Sequence, residues 1–213
     1  MGVAIRVAAE DDRERVVQLL DDAFRDDPVS GWVFPDAAHR RDRHPRLMAV
    51  FADIVFAEGR VDITEDGAAC ALWLSVSADE GHADEDHADE GHADEDGPVQ
   101  LREAVDPDNV RVELVGRLTA EIHPSGRAHK YLWMIAVAPE RQGEGLGSAL
   151  VRSVLDRCDQ EGVPAYLEAS NERSRALYER LGFGRTGRPL ELPDGPRMWP
   201  MWREPRAGSA TGA

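Results

Sequence analysis

Apolar and polar positions alternate in two periods along this chain, and the switches between them mark its elements. Ile5-Arg6-Val7-Ala8 reads as a short first strand. Asp11 and Asp12 can cap a helix in which Val16, Val17, Leu20, Ala23 and Phe24 recur at helical spacing, and Asp26-Asp27-Pro28 breaks it. An aromatic loop from Ser30 to Asp36 precedes a second helix, roughly Ala38 to Ala57, with Leu47, Val50, Phe51, Ile54 and Val55 on one face. Gly59 to Thr64 alternates as a strand, Glu65-Asp66-Gly67 turns it, and Ala68 to Leu74 returns. A third helix is expected from Asn109 to Glu121. Tyr131 to Ala138 is an apolar run stopped by Pro139, and helical spacing resumes to about Cys158. Val163 to Ser170 reads as a strand. The segment from Asn171 reads as a capped helix that ends at Gly182, and Arg197 to Arg203 as a last strand in which Pro200 implies an edge or a bulge. The small, polar tail 207–213 is expected to be disordered.

Between the hairpin and the third helix lies a five-residue repeat. Gly81-His82-Ala83-Asp84-Glu85 returns as Asp86-His87-Ala88-Asp89-Glu90 and as Gly91-His92-Ala93-Asp94-Glu95. It has no large apolar side chain to bury, so 78–97 is expected to be a solvated, mobile insertion into a single domain spanning 1–206. A loose metal site on His82, His87 and His92 is the rival reading; no structural metal is expected elsewhere. The repeat also dominates the charge. The whole chain carries −16, but residues 79–96 hold ten acidic groups and no Lys or Arg, and without them 31 acidic groups face 25 basic ones, a net of −6. Neither figure suits a nucleic-acid partner. No run of 18 apolar residues suggests a membrane span, and residues 1–6 lack the basic start and apolar stretch of a secretory leader. Cys70 and Cys158 both fall in expected core elements, so buried free thiols and a cytoplasmic setting are anticipated.

The chemistry concentrates between Tyr131 and Phe183. A strand, then Gln142-Gly143-Glu144-Gly145-Leu146-Gly147-Ser148, then a helix, make an anion site: glycines let the backbone approach a ligand, and the helix start aims unpaired N–H groups at it. A pyrophosphate is the natural guest. The NTPase phosphate loop requires Gly-Lys-Ser/Thr, and this turn has no lysine. The dinucleotide fingerprint requires G-x-G-x-x-G, and here the glycines fall at 143, 145 and 147. The pattern that fits, Gln142-x-x-Gly145-x-Gly147 directly after a strand, resembles the acetyl-CoA signature of the GNAT acetyltransferases. Leu177-Tyr178-Glu179-Arg180-Leu181-Gly182-Phe183, about 30 residues on, resembles that family's second segment, although the spacing from Asn171 to Ala176 departs slightly from it.

The resemblance covers essentially the whole chain apart from the insertion and tail. It implies an α/β fold of the α+β kind, with a central mixed, mostly antiparallel twisted sheet flanked by helices and strands splayed at the acetyl-CoA site. Within the family the chain looks most like puromycin N-acetyltransferase and its actinobacterial relatives, on Glu65 to Ala69 before a strand with Trp73, Gly162 to Glu168, and Gly195-Pro196-Arg197-Met198-Trp199. The implied activity is direct acetyl transfer from acetyl-CoA to the amine of a small molecule, in antibiotic resistance or self-protection, by a monomer or homodimer. The backbone from Gln142 to Gly147 would hold the pyrophosphate, an N–H among Ile135, Ala136 and Val137 would meet the thioester oxygen, and Asn171 would reach the pantetheine arm or merely cap its helix. Tyr178 is the expected general acid. Glu168 is the candidate base, because burial at the end of a strand raises a carboxyl pKa. His123 and His129 are rival bases expected in exposed loops. Trp32, Phe34, Trp73 and Trp133 are placed near the acceptor, although core packing explains each of them. Two further readings stand beside this one: a protein lysine or N-terminal acetyltransferase, and a non-catalytic acyl-CoA sensor.

Overall fold

The computed structural model describes residues 2–78 and 93–206; the three repeat histidines and the tail 207–213 lie outside the described residues. Strand Ile5–Val7 (β1) leads through a 3-10 turn into helix Arg13–Phe24 (α1). Helix Pro28–Val33 (α2) occupies most of the stretch expected to be an aromatic loop. Asp27 accepts a hydrogen bond from the Val29 N–H and Pro28 fills the first turn, so the dipeptide that ends α1 also starts α2. Helix Ala37–Glu58 (α3), strands Arg60–Thr64 (β2) and Ala69–Val76 (β3) and helix Val110–Ile122 (α5) follow the expected pattern. Helix Ala93–Val105 (α4) corrects it, because the C-terminal end of the supposed insertion is helical and α4 packs on α5 and α3. The remaining elements are strand His129–Val137 (β4), helix Leu146–Glu161 (α6), strand Ala165–Ala169 (β5), helix Glu172–Arg180 (α7) and strands Gly184–Arg185 (β6), Leu190–Glu191 (β7) and Arg197–Arg203 (β8).

The sheet runs β1-β2-β3-β4-β5-β8-β6, with β7 on β8, and every pairing is antiparallel except β4 with β5. Its two faces carry separate cores. Val16, Leu19 and Leu20 of α1 and Met48, Ala52 and Val55 of α3 pack on one face; Leu150, Val151, Val154 and Leu155 of α6 pack with Tyr178 and Leu181 on the other. Each fully buried aliphatic side chain contributes about 1.5–3 kcal/mol relative to exposure. Cys70 and Cys158 are buried and free, and burial pushes the Cys70 thiol up to about 12. Among the described residues no helix is long and apolar enough to cross a membrane.

Two departures from regular pairing position the site. β4 and β5 pair only at Lys130↔Ala165 and Tyr131↔Tyr166, then part. β4 also bulges against β3: Leu72 faces Met134 and Trp73 faces Leu132, so Trp133 is the extra residue. The bulge turns Trp133 and Met134 toward the same core and sends Ile135 and Val137 toward the other.

A buried polar chain ties the first three helices together. Ser30 Oγ lies 3.0 Å from His44 Nε2, and His44 Nδ1 lies 2.6 Å from Asp21 Oδ1. The order serine, imidazole, carboxylate is that of a nucleophile relay, but the nearby N–H groups that could receive an oxyanion are spent, Val29 on the Asp27 carboxylate and Gly31 on the Asp27 carbonyl. The chain is therefore a brace. Burial lowers the His44 pKa from 6.5, against the opposing pull of Asp21. Below pH 6.5 the unfolded chain takes up a proton that the folded chain refuses, so this contribution is complete above pH 6.5 and is lost as pH falls from there toward the folded-state pKa. Urea denaturation from pH 8 to pH 5 is expected to show a stability loss beginning near 6.5, and His44→Asn is expected to flatten it.

Candidate active site

The parted strands and the glycine turn form one wall-to-wall cleft of about 700 Å³. The chain rounds the turn with Gly143 at φ 88° and Gly145 at φ 86°, a left-handed region costly for any side chain, although a Cβ at either position would meet nothing within 4 Å. Gly145 is the N-cap of α6 and has no side chain to satisfy the first N–H groups of the helix, which open into the cleft with the positive end of the helix dipole. Arg141 braces the turn from outside, with Nη1 3.1 Å from Asp66 and Nε 2.7 Å from Glu144.

The parted face of β4 adds further donors. N–H directions alternate along a strand, and the Ala138 N–H donates to the Ala68 carbonyl of the β3 side at 2.9 Å. Ala136 therefore also faces β3, whereas the N–H groups of Ile135 and Val137 face the gap that β5 has left. Gln142 Nε2 approaches the Val137 carbonyl in that gap at 3.4 Å. An extended amide-bearing arm capped by a pyrophosphate fits these features: strand N–H and C=O groups for its amides, and an open helix start for its phosphates. The donor set fits acetyl-CoA.

Of the residues singled out for the cofactor, Ile135, Val137, Gln142, Gly143, Gly145, Leu146, Gly147, Ser148, Asn171 and Tyr178 line the cleft. Ala136 and Glu144 do not. Ala136 is buried and turned to β3, and the Glu144 side chain is engaged with Arg141. Asn171 caps α7, its Oδ1 accepting from the Ser174 N–H at 2.9 Å while its Nδ2 donates to Asp27 at 3.1 Å. Both polar ends are used, which is the capping reading.

Glu168 lies in the cleft wall with only 4% of its side chain exposed. Alternation along β5 packs Ala165, Leu167 and Ala169 against α6 and sends Tyr166 and Glu168 to the opposite face. There the Tyr131 hydroxyl donates to Glu168 Oε2 at 2.7 Å, while Oε1 has no hydrogen-bond partner and lies 3.9 Å from His123 Nδ1. Burial pushes the carboxyl up to about 7, and the phenols of Tyr131 and Tyr166 oppose that rise. Tyr178 is buried at the far wall, and desolvation together with the Asp27 charge raises its phenol well above the usual range, so it stays protonated. Asp27 is itself tied to Ser170 Oγ at 2.7 Å.

His123 and His129 do not sit in exposed loops. His129 opens β4 and is buried, and His123 caps the end of α5 against Tyr131 and Tyr166, with ring centroids 4.7 and 5.0 Å away. Of the four aromatics assigned to the acceptor side only Trp133 lines the cleft, against Phe51 at 4.8 Å. Phe34 and Trp73 are core residues. Trp32 anchors the β7–β8 turn by donating from Nε1 to the Pro193 carbonyl at 2.9 Å, with Arg111 stacked on it. Sequence reasoning missed Tyr131 and Asp27: nothing marks a tyrosine at the start of an apolar run, or one aspartate of an Asp-Asp-Pro break, as part of a site.

The model of the acetyltransferase (GNAT) family matches residues 68–183. An N-acetyltransferase of Schizosaccharomyces pombe is 29% identical over 193 residues, 84% of this chain and 73% of that protein. The mycothiol acetyltransferase of Paenarthrobacter aurescens is 36% identical over 83 residues, which cover 36% of this chain and 26% of that enzyme, so the likeness spans only about a quarter of its length. Among solved structures, an acetyltransferase of Corynebacterium glutamicum described as histone acetyltransferase HPA2 and related acetyltransferase superposes with a TM-score of 0.71 at 23% identity, covering 99% of this chain and 100% of the other. This chain belongs to the GNAT family of acetyltransferases, which take their acyl group from acetyl-CoA.

Proposed function

We propose that this protein transfers an acetyl group from acetyl-CoA directly to the primary amine of a small molecule with an apolar body. The observation that carries the reading is the meeting, in one cleft, of the open glycine turn and β4 edge with a buried carboxylate of raised pKa. Beyond Glu168 the cleft wall is apolar, formed by Val33, Leu47, Phe51, Leu101, Val115 and Met198. An apolar wall of this kind favours an acceptor with an apolar body. Puromycin, with its amine on an aromatic body, is the antibiotic acceptor that the sequence resemblance favours. The two buried free thiols suit a reducing compartment such as the cytoplasm.

Acetyl-CoA, when bound, supplies an acyl group already activated as a thioester. Gly145 to Ser148 would hold its phosphate oxygens, and the Ile135 and Val137 N–H groups would supply donors to the thioester oxygen. Glu168, poised near neutrality, takes the proton that makes the incoming ammonium nucleophilic. Tyr178, kept neutral by burial, would be the proton donor to the leaving thiolate and would recover its proton from the amine nitrogen.

Thiol release from acetyl-CoA is to be measured against puromycin, 2-phenylethylamine, spermidine, an aminoglycoside, amino acids and a basic peptide. Turnover is expected with the apolar amines, and turnover confined to the peptide or the amino acids would sink the acceptor assignment. Tyr178→Phe and Glu168→Gln are each expected to lower kcat by about 10²-fold or more. Tyr131→Phe removes a bond that favours the ionised carboxyl, so the acid limb of kcat/KM should move to higher pH.

Glu168 also has a stability signature. Its folded-state pKa of about 7 lies above the ordinary 4.5, so the folded state is favoured below pH 4.5 and loses that advantage as pH rises through 7. Glu168→Gln is expected to be more stable than the parent at pH 8, by on the order of 3 kcal/mol, with the difference vanishing near pH 4.5. Chemical denaturation of both proteins at the two pH values measures it.

A further inference from the structure

A base that takes a proton in a closed cleft must lose it again before the next turnover, and the cleft side of Glu168 is where the acceptor sits. Behind the carboxylate stands a pair of imidazoles. His129 Nδ1 lies 2.7 Å from the Arg127 carbonyl oxygen, a separation that requires an N–H on that nitrogen. In neutral His129 the other nitrogen, Nε2, then carries the lone pair. It lies 3.1 Å from His123 Nε2, so His123 must be the donor there. Neutral His123 is thereby held in the tautomer whose Nδ1 lone pair faces Glu168 Oε1, 3.9 Å away. That oxygen is the one with no hydrogen bond, while Tyr131 occupies the other. A small side-chain rotation closes that gap to hydrogen-bond distance.

We infer that His123 empties Glu168 of its proton, and that His129, anchored on the Arg127 carbonyl, is a positioning residue that holds His123 in the accepting tautomer. The balance is closed. The ammonium gives a proton to the Glu168 carboxylate and becomes the free amine. Protonated Glu168 passes it to His123 Nδ1 and returns to the carboxylate. The imidazolium, with 23% of its side chain exposed, releases it to water. The other groups around the rings cannot take that role. Tyr131 and Tyr166 are phenols already carrying their protons, with pKa values raised by burial and by the Glu168 charge. Arg127, stacked on Trp202, is paired with Glu204 at 2.6 Å.

This inference rests on Glu168 being the base, and the variants separate the two. With acetyl-CoA and 2-phenylethylamine, or puromycin if that amine is the better acceptor, His123→Ala is expected to lower kcat by about 10²-fold at unchanged KM. Added imidazoles should restore its rate in proportion to their basicity, and should leave Glu168→Gln inactive. His123→Gln serves if the alanine variant does not fold. A His123 variant with parental kcat across pH 6–9, or a slow one that no imidazole rescues, overturns the shuttle while an inactive Glu168→Gln leaves the base in place. A fully active Glu168→Gln overturns both. Independently of turnover, nitrogen NMR of the imidazoles at pH 8 should find His129 protonated at Nδ1 and His123 at Nε2; His123 protonated at Nδ1 would rule the shuttle out.

Discussion

The site depends on two strands that start as partners and do not stay so. β4 and β5 share two register positions and then diverge. If they had stayed paired, the Ile135 and Val137 N–H groups would be spent within the sheet and Glu168 would be sealed in it. The parting is held open from both sides. β3 keeps β4 over eight register positions and β8 keeps β5 over five, so each arm is stiff without the other. The Trp133 bulge then decides which groups face the gap. One extra residue shifts the backbone alternation and aims Ile135 and Val137 at the space that β5 vacates. Binding geometry therefore comes from backbone arrangement, and the side chains at these positions remain free to serve the two cores.

The chemical groups follow a complementary logic. Glu168 and Tyr178 are both displaced from their ordinary titration ranges by the same cause, removal from water, with opposite consequences near neutral pH. Desolvation brings a carboxyl up to neutrality, where it can exchange protons, and takes a phenol further from neutrality, where it keeps its own. One dry cleft thus holds a carboxyl that titrates at about 7 and a phenol that keeps its proton. The cost of burying an ionisable carboxyl is partly offset by the Tyr131 hydroxyl, and the unmatched Oε1 leaves the rest of that cost standing.

Much of the glycine-turn side of the cleft was legible in the sequence because its parts are contiguous. A glycine turn between a strand and a helix is a local pattern, and Gly143 and Gly145 are required by their own backbone angles whatever packs around them. The same contiguity misled where a short-range reading could not see orientation. Ala136 and Glu144 sit inside the motif yet turn away from the cleft, because one follows strand alternation and the other an ion pair with Arg141. The opposite side of the cleft was poorly legible. It is assembled from α1 to α5, β4 and β8, and its residues read in sequence as ordinary core positions. α2 was hidden because Asp27-Pro28 serves equally as a break and as a helix start. α4 was hidden because a repetitive acidic stretch runs into it. His123 and His129 looked like loop residues beside Pro124, Ser125 and Gly126, and only the folded chain stacks them behind Glu168.

A strand with unsatisfied N–H and C=O groups is ordinarily an invitation to any passing extended chain, and proteins blunt such edges with charge, proline or brevity. The exposed run of β4 uses none of these devices; it is long, apolar and rich in β-branched and aromatic residues. Its protection is its placement. The run lies inside a wedge whose other wall is β5, closed at the bottom by the shared register and walled by helices on the sides, so a second strand has no lateral approach. Only a slender chain entering end-on can pair with it. The shape that admits a thread-like ligand is thus the shape that keeps a second strand off this stretch of β4.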